Sequence, residues 1–182
     1  MLRITKILFI LLLTISSVKA NEIINKIVIN GNQRISDETI KIYGEIDKNK
    51  KINENGINQI IKNLYSTNFF EDVDVSYSNK ILTINLKEYP IVNQLIIIGE
   101  KSNNIKNQIK KLISLKEKRS FIKSKLSNDL EIIKTLYASI GYNFSIVEAK
   151  IKEIDNNNYD LIFEIKRGKE SRISSINFIG DK

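Results

Sequence analysis

The side chains most able to do chemistry gather in FFEDVDV at residues 69–75, where Glu71, Asp72 and Asp74 place carboxylates close together. On an extended chain, residues two apart project from one face. Asp72 and Asp74 would then stand near enough to share a proton or to hold a cation weakly. No nucleophile motif or Gly-rich loop lies beside them, and the chain has no His and no Cys. That composition removes zinc-type sites, thiol nucleophiles and histidine-based triads together. The carboxylates therefore read as the solvated face of a strand, and the chain as a non-enzyme with no catalytic residue, cofactor or metal. The other concentration of charge, KKLISLKEKR at 110–119, reads as a solvated helix end and loop. The remaining lysines are scattered along the chain, whereas a nucleic-acid or lipid footprint would cluster its cations on one helix face or loop.

The first twenty residues stand apart from any fold. Arg3 and Lys6 form a basic start, residues 7–13 are an unbroken apolar run, and Val18-Lys19-Ala20 supplies a cleavage site. This is the pattern of a secretory signal peptide, residues 1–20, cut after Ala20. The apolar run is well short of the roughly 18–20 residues that a membrane span needs. No Cys follows the cut, so a lipoprotein is not expected. The formal charge of +8 includes Arg3, Lys6 and Lys19. Without them the excess of cations is modest, and scattered among Asn and Ile.

Three strand-then-glycine segments recur: NKIVING at 25–31, NQLIIIG at 93–99 and SSINFIG at 174–180. Each reads as a buried strand ended by a Gly that supplies a positive-φ turn. After the first, Ser36 with Asp37 and Glu38 makes a helix start, since a hydroxyl can cap and acids suit the dipole. A polar DKNKK loop follows, and Asn53 caps a second helix with Ile57, Ile60, Ile61 and Leu64 on one face. Val73, Val75 and Tyr77 then alternate with Asp72, Asp74 and Ser76 as a half-buried strand. Ser78-Asn79 is a hairpin turn candidate, and Leu82, Ile84 and Leu86 alternate again. The order is βααββ.

The second module repeats this order with longer elements. Ile105, Ile109, Leu112 and Ile113 mark one helix; Leu126, Leu130, Ile133, Tyr137 and Ile140 mark the next, stopped by Gly141. Phe144 and Ile146 begin a strand, but Val147, Ala149 and Ile151 continue it in the opposite phase, which predicts a bulge near 146–147. Tyr159, Leu161, Phe163 and Ile165 form the last strand. A sheet polar on one face needs both helices on the other. Phe69 or Phe70, and Tyr142 or Phe144, would plug the helix-to-strand corners as core residues.

LYSTNFFEDVDV at 64–75 resembles the link from the second helix to the second strand in POTRA (polypeptide transport-associated) domains of the BamA family of outer-membrane protein assembly factors. LKEYPIVNQLIIIGEK at 86–101 resembles the junction between two such domains, and GNQR at 31–34 fits their strand-Gly-x-x-Arg pattern. The resemblance implies an α+β fold of tandem POTRA domains. Each would hold a three-stranded mixed sheet covered on one face by two antiparallel helices, with the third strand central and the second at an edge. The domains would span 22–90 and 91–168, with a third beginning at 169–182. GEKSNN in the second module has no Arg where the first has Arg34, which reads as a turn brace.

The family implies a periplasmic arm of a cell outer membrane protein, anchored through a C-terminal barrel not contained in these residues. Its implied partners are unfolded outer-membrane β-barrel proteins, a periplasmic chaperone and the lipoproteins of the assembly complex. An edge strand offers unpaired backbone groups, and an extended segment can add beside it with little regard to sequence. The edge strands expected to receive clients or partners are Asp72, Val73, Asp74, Val75, Ser76 and Tyr77 in the first module. In the second they are Ile146, Val147, Glu148, Ala149, Lys150, Ile151 and Lys152. Tyr89 and Pro90 leave almost no slack between modules and form a hinge of limited range, since Pro fixes its own φ and restricts its predecessor.

An RNA-binding KH domain also begins βααβ, but needs a GxxG loop between its helices. Here those loops read EIDKNKKINENG and SLKEKRS, so no nucleic-acid partner is expected. A two-partner secretion transporter would normally carry two POTRA domains, and SRISSINFIG argues for a third.

Overall fold

Ser36 begins the first helix as its chemistry predicts: its backbone is extended and its hydroxyl accepts the Thr39 N–H at 3.3 Å. The computed structural model describes residues 22–155, 157–172 and 174–180. Helix α1 runs Asp37–Gly44, and α2 runs Glu54–Ser66 from an Asn53 cap that takes the Gly56 N–H at 2.9 Å. The stripe on α2 turns Ile60 and Leu64 fully inward. Strand β2 (Lys26–Asn30) pairs parallel with β5 (Ile81–Glu88), which pairs antiparallel with β4 (Phe70–Ser78). The order is β2-β5-β4, a mixed sheet with its last strand in the centre. Core-facing Val73, Val75, Leu82 and Ile84 alternate with exposed or half-exposed neighbours. Each fully buried aliphatic chain of this kind contributes about 1.5–3 kcal/mol.

Two local expectations change, and a third is narrowed to one residue. The hairpin turn is Asn79-Lys80 rather than Ser78-Asn79, because Ser78 still pairs with Ile81. Both turn residues have positive φ, 52° and 65°, the type I′ geometry that suits the strand twist. The polar loop also hides a small ladder: β1 (Glu22–Ile23) pairs antiparallel with β3 (Lys51–Ile52), pinned by the buried Ile52. At the corner, Phe70 is the plug, while Phe69 is half-buried and edge-on to Tyr43 at 5.8 Å.

The second unit begins at Tyr89. It comprises β6 (Ile91–Ile98), α3 (Asn103–Leu112), α4 (Lys123–Ser139), β7 (Ile146–Asp155) and β8 (Asn158–Lys166). Its sheet order is β6-β8-β7, with β6 parallel and β7 antiparallel to β8. The expected bulge at 146–147 is absent. Ile146 pairs with Lys166 and Val147 with Ile165 in unbroken register, and the shift lies between Glu153 and Asp155. Phe144 and Ile146 point outward, 78% and 52% exposed, so Val147 is the first inward residue and no phase change is needed.

The recurring Leu-Tyr pairs are not equivalent either. Leu64 is buried and Tyr65 exposed, whereas Tyr137 is fully buried. Residues 174–180 form no strand. In both units the strand ended by Gly, β2 or β6, pairs with the unit's last strand, and SSINFIG finds no such partner among the described residues. The signal-peptide segment lies outside the described residues. No helix among the described residues is long and apolar enough to cross a membrane.

Candidate functional site: open strand edges

Each sheet has two borders, and the molecule treats them differently. Near the start of β2, Ile24 exchanges backbone bonds with the interhelical segment, donating to Lys50 O at 3.1 Å and accepting from Asn49 N at 2.8 Å. The start of β6 is closed in the same way: Val92 N donates to Arg119 O at 2.9 Å, and Lys118 N to Val92 O at 2.7 Å. Phe121 N binds Pro90 O at 2.7 Å, and the Glu117 carboxylate accepts the Leu95 N–H at 3.1 Å. That bond holds the Glu117 carboxyl below its ordinary range. Three cations of the basic cluster are engaged in this loop. Lys116 caps the last carbonyls of α3, Lys118 binds Asn93 and Lys110 pairs with Glu117.

The opposite borders, β4 and β7, have no strand beside them among the described residues. Val73 N–H donates to the Tyr65 hydroxyl at 3.2 Å, so it points away from β5. Backbone direction alternates along an antiparallel pair, which turns Val75 and Tyr77 outward as well. Chirality links the two properties: on this border, a residue whose side chain enters the core sends its N–H and C=O outward. Val147, Ala149 and Ile151 of β7 occupy that phase, and Val147 is buried. Asp72, Asp74, Ser76, Glu148, Lys150 and Lys152 instead bond the central strand and send their side chains to the outer face.

The two open borders differ in character. On β4 the register is interrupted between Phe70 and Asp72, and a tyrosine hydroxyl already occupies one outward donor. The carboxylates there face separate partners: Glu71 pairs with Lys87 at 2.7 Å, Asp72 accepts from Tyr65 at 3.3 Å, and Asp74 from Asn85 at 3.2 Å. Border β7 keeps unbroken register from Ile146 to Glu153 and leaves Ile151 and Ile154 nearly half exposed. Lys150 meets Glu164 across the strands at 2.7 Å, which holds its amine above the ordinary range. Tyr89 and Pro90 join β5 to β6 at the division between the units.

Sequence reasoning missed the buried carboxylates that brace these sheets. Glu88 takes the N–H groups of Gln33, Arg34 and Ile35 on one oxygen at 2.9–3.1 Å, and its other oxygen forms an ion pair with Arg34 Nε at 2.8 Å. Arg34 thus braces the turn after β2. Glu100, in the turn after β6, holds Arg167 through both oxygens at 2.7 Å, the Ser102 N–H at 2.7 Å and the Tyr137 hydroxyl at 2.5 Å. Burial pushes the Glu100 carboxyl up, but these donors outweigh it and hold it at about 2. Burial, with Glu100 beside it, pushes the Tyr137 hydroxyl well up. Arg167 also lies 4.9 Å over the Tyr142 ring.

Asp129 is fully buried and accepts from Ser114 N, Ser114 Oγ and Leu115 N at 2.6–2.9 Å. A signal for these residues existed. Glu88 and Arg167 continue the inward phase of Leu82-Ile84-Leu86 and Phe163-Ile165, and Asp129 lies on the apolar face between Leu126 and Ile133.

Two βααββ units with mixed three-stranded sheets and open second-strand borders define a POTRA-type α+β architecture. The family model described as "POTRA: Surface antigen variable number repeat" matches residues 22–89 and 90–168, and the chain belongs to that family. The chain is 25% identical over 162 residues to the outer membrane protein assembly factor BamA of Neorickettsia risticii (strain Illinois), spanning 89% of this chain and 22% of that protein. It is 27% identical to BamA of Neisseria meningitidis serogroup B (strain ATCC BAA-335 / MC58), spanning 87% and 20%. The chain thus spans about a fifth of the length of these relatives. The N-terminal domain of Omp85 from the thermophilic cyanobacterium Thermosynechococcus elongatus shares the fold. Its TM-score is 0.51 at 15% identity, covering 81% of this chain and 63% of that one.

Proposed function

We propose that this chain is the periplasmic arm of an outer-membrane protein assembly factor, and that it receives unfolded β-barrel segments by backbone pairing along β7 and, more weakly, β4. The carrying observation is the unbroken, outward-facing border of β7. Main-chain pairing tolerates many client sequences, and the exposed Ile151 and Ile154 add an apolar contact. The arm is a binding module, not an enzyme. It is exported by its signal peptide, bends at Tyr89-Pro90, and works with a periplasmic chaperone, the assembly lipoproteins and a membrane-embedded barrel. The kinship to BamA and the open borders support this reading together.

Ala149→Pro removes one outward donor and places a ring in the path of an incoming strand, while the inner ladder to β8 is untouched. It is expected to weaken binding of a barrel-derived strand peptide by about tenfold, the equivalent of one well-made hydrogen bond plus the steric block. Ala149→Val, which keeps the N–H, should bind as the unaltered chain does, and Val75→Pro should cost less. Equal affinity of the proline and valine variants by fluorescence anisotropy would contradict the proposal.

A further inference from the structure

The open border of β7 is complementary to itself. Its outward backbone groups belong to Val147, Ala149 and Ile151, and Glu153 continues that alternation to the end of the unbroken register. The intervening residues, whose side chains stand on the outer face, are Ile146, Glu148, Lys150 and Lys152, and Ile154 follows just beyond that register. Ile146 and Ile154 are both about half exposed. Neither Glu148 nor Lys152 forms an ion pair among the described residues, so one charge of each sign is left on this border.

We propose that two copies of this chain pair antiparallel along β7, about a two-fold axis at Lys150. The pairing rests on the reading, shared with client binding, that β7 is an open border, and the two occupants exclude each other. In this register Glu148 of each copy lies opposite Lys152 of the other, and Ile146 opposite Ile154, each contact being made twice. The hydrogen-bonded pairs are Ala149 with Ile151 and Val147 with Glu153, the residues whose backbone groups face outward, so side-chain match and backbone match coincide. Ile151, 43% exposed in the single copy, gains Ala149 of the other copy as a neighbour. Lys150 meets its own counterpart, but its amine is drawn back across the sheet to Glu164 at 2.7 Å.

Neighbouring registers lose this match. An axis at Glu148 sets carboxylate against carboxylate, one at Ile151 sets Lys150 against Lys152, and one at Ala149 sets Ile146 against Lys152. Opposite charges across paired strands stabilise them, and like charges directly opposite repel. Border β4 offers no equivalent: it carries Asp72 and Asp74 with no Lys or Arg, and its Val73 N–H is taken by Tyr65. Pairing about a two-fold axis also closes on itself, which covers an adhesive edge without building a fibre.

Sedimentation velocity of the full chain at rising concentration should show a monomer passing to a dimer. Glu148→Lys and Lys152→Glu each set like charges together twice and should weaken the dimer by about tenfold. Mixing the two variants sets the lysines of one copy against the glutamates of the other, and should restore association. Pairing through any other apolar segment would be blind to that exchange of charge. A monomer at every concentration, or equal association in the single variants, their mixture and the unaltered chain, overturns the proposal. Titration with a barrel-derived strand peptide keeps the two occupants apart. If the chain never dimerises but the peptide still shifts the Val147, Ala149 and Ile151 amides, only self-pairing falls. If the charge exchange governs dimerisation but no peptide reaches β7, self-pairing stands and client binding falls.

Discussion

Replacing Arg167 by methionine is expected to destabilise the second unit by about 3–5 kcal/mol at pH 7, the cost of leaving a buried carboxylate without its cation. The first unit's transition should not move. Acid gives the loss its own signature. In the unaltered chain Glu100 is held at about 2 against its ordinary 4.5. Its contribution is therefore complete above the ordinary value and fades as pH falls from about 5 toward 2. The shift corresponds to about 3 kcal/mol.

Without Arg167, burial is opposed only by the Tyr137 hydroxyl and the Ser102 N–H, so the Glu100 carboxyl is held less low and the variant should lose less stability than the unaltered chain as pH falls. The two curves approach each other in acid. Denaturant unfolding followed by circular dichroism between pH 7 and pH 3 checks the sign. A parallel fall of both would mean that Glu100 is not held by Arg167.

Gly99→Ala should be comparably severe. Its φ of 85° belongs to a region that costs a residue with a side chain about 1–2 kcal/mol, and the added methyl would sit 1.9 Å from the backbone oxygen of Ile165. That oxygen cannot swing aside as a side-chain tip would, so the turn must separate from β8, for a total of about 3–5 kcal/mol. Gly31→Ala meets Leu86 O at 2.0 Å and should do the same to the first unit alone. Each variant should lower one unfolding transition and spare the other. Equal loss in both transitions would mean that the units do not unfold separately.

These residues also mark how far the sequence could be read. Alternation in Val73-Val75-Tyr77 and Leu82-Ile84-Leu86, with the Ser36 and Asn53 caps, is enough to place both helices and the two hairpin strands of the first unit. Period and capping are local properties, written within one turn or one strand. The bulge near Ile146 does not form because Phe144 and Ile146 face outward, and an apolar side chain carries no record of which apolar residues are left exposed. The ladder between residues 22–23 and 51–52, and the loop that closes the start of β6, escaped for a different reason. Both depend on backbone bonds between distant segments, to which side-chain pattern is blind. Glu88, Glu100 and Asp129 were legible only as polar residues interrupting an apolar phase, and their partners lie far away in sequence.

The central claim is that β7 accepts an extended client by backbone pairing. The most direct measurement titrates the isotope-labelled chain with a strand peptide from an outer-membrane β-barrel and follows each backbone amide by NMR and hydrogen exchange. The amides of Val147, Ala149 and Ile151 should shift first and exchange more slowly, because they turn away from β8 into the open border. Shifts confined to the helices or loops, with exchange along β7 unchanged, would contradict the account.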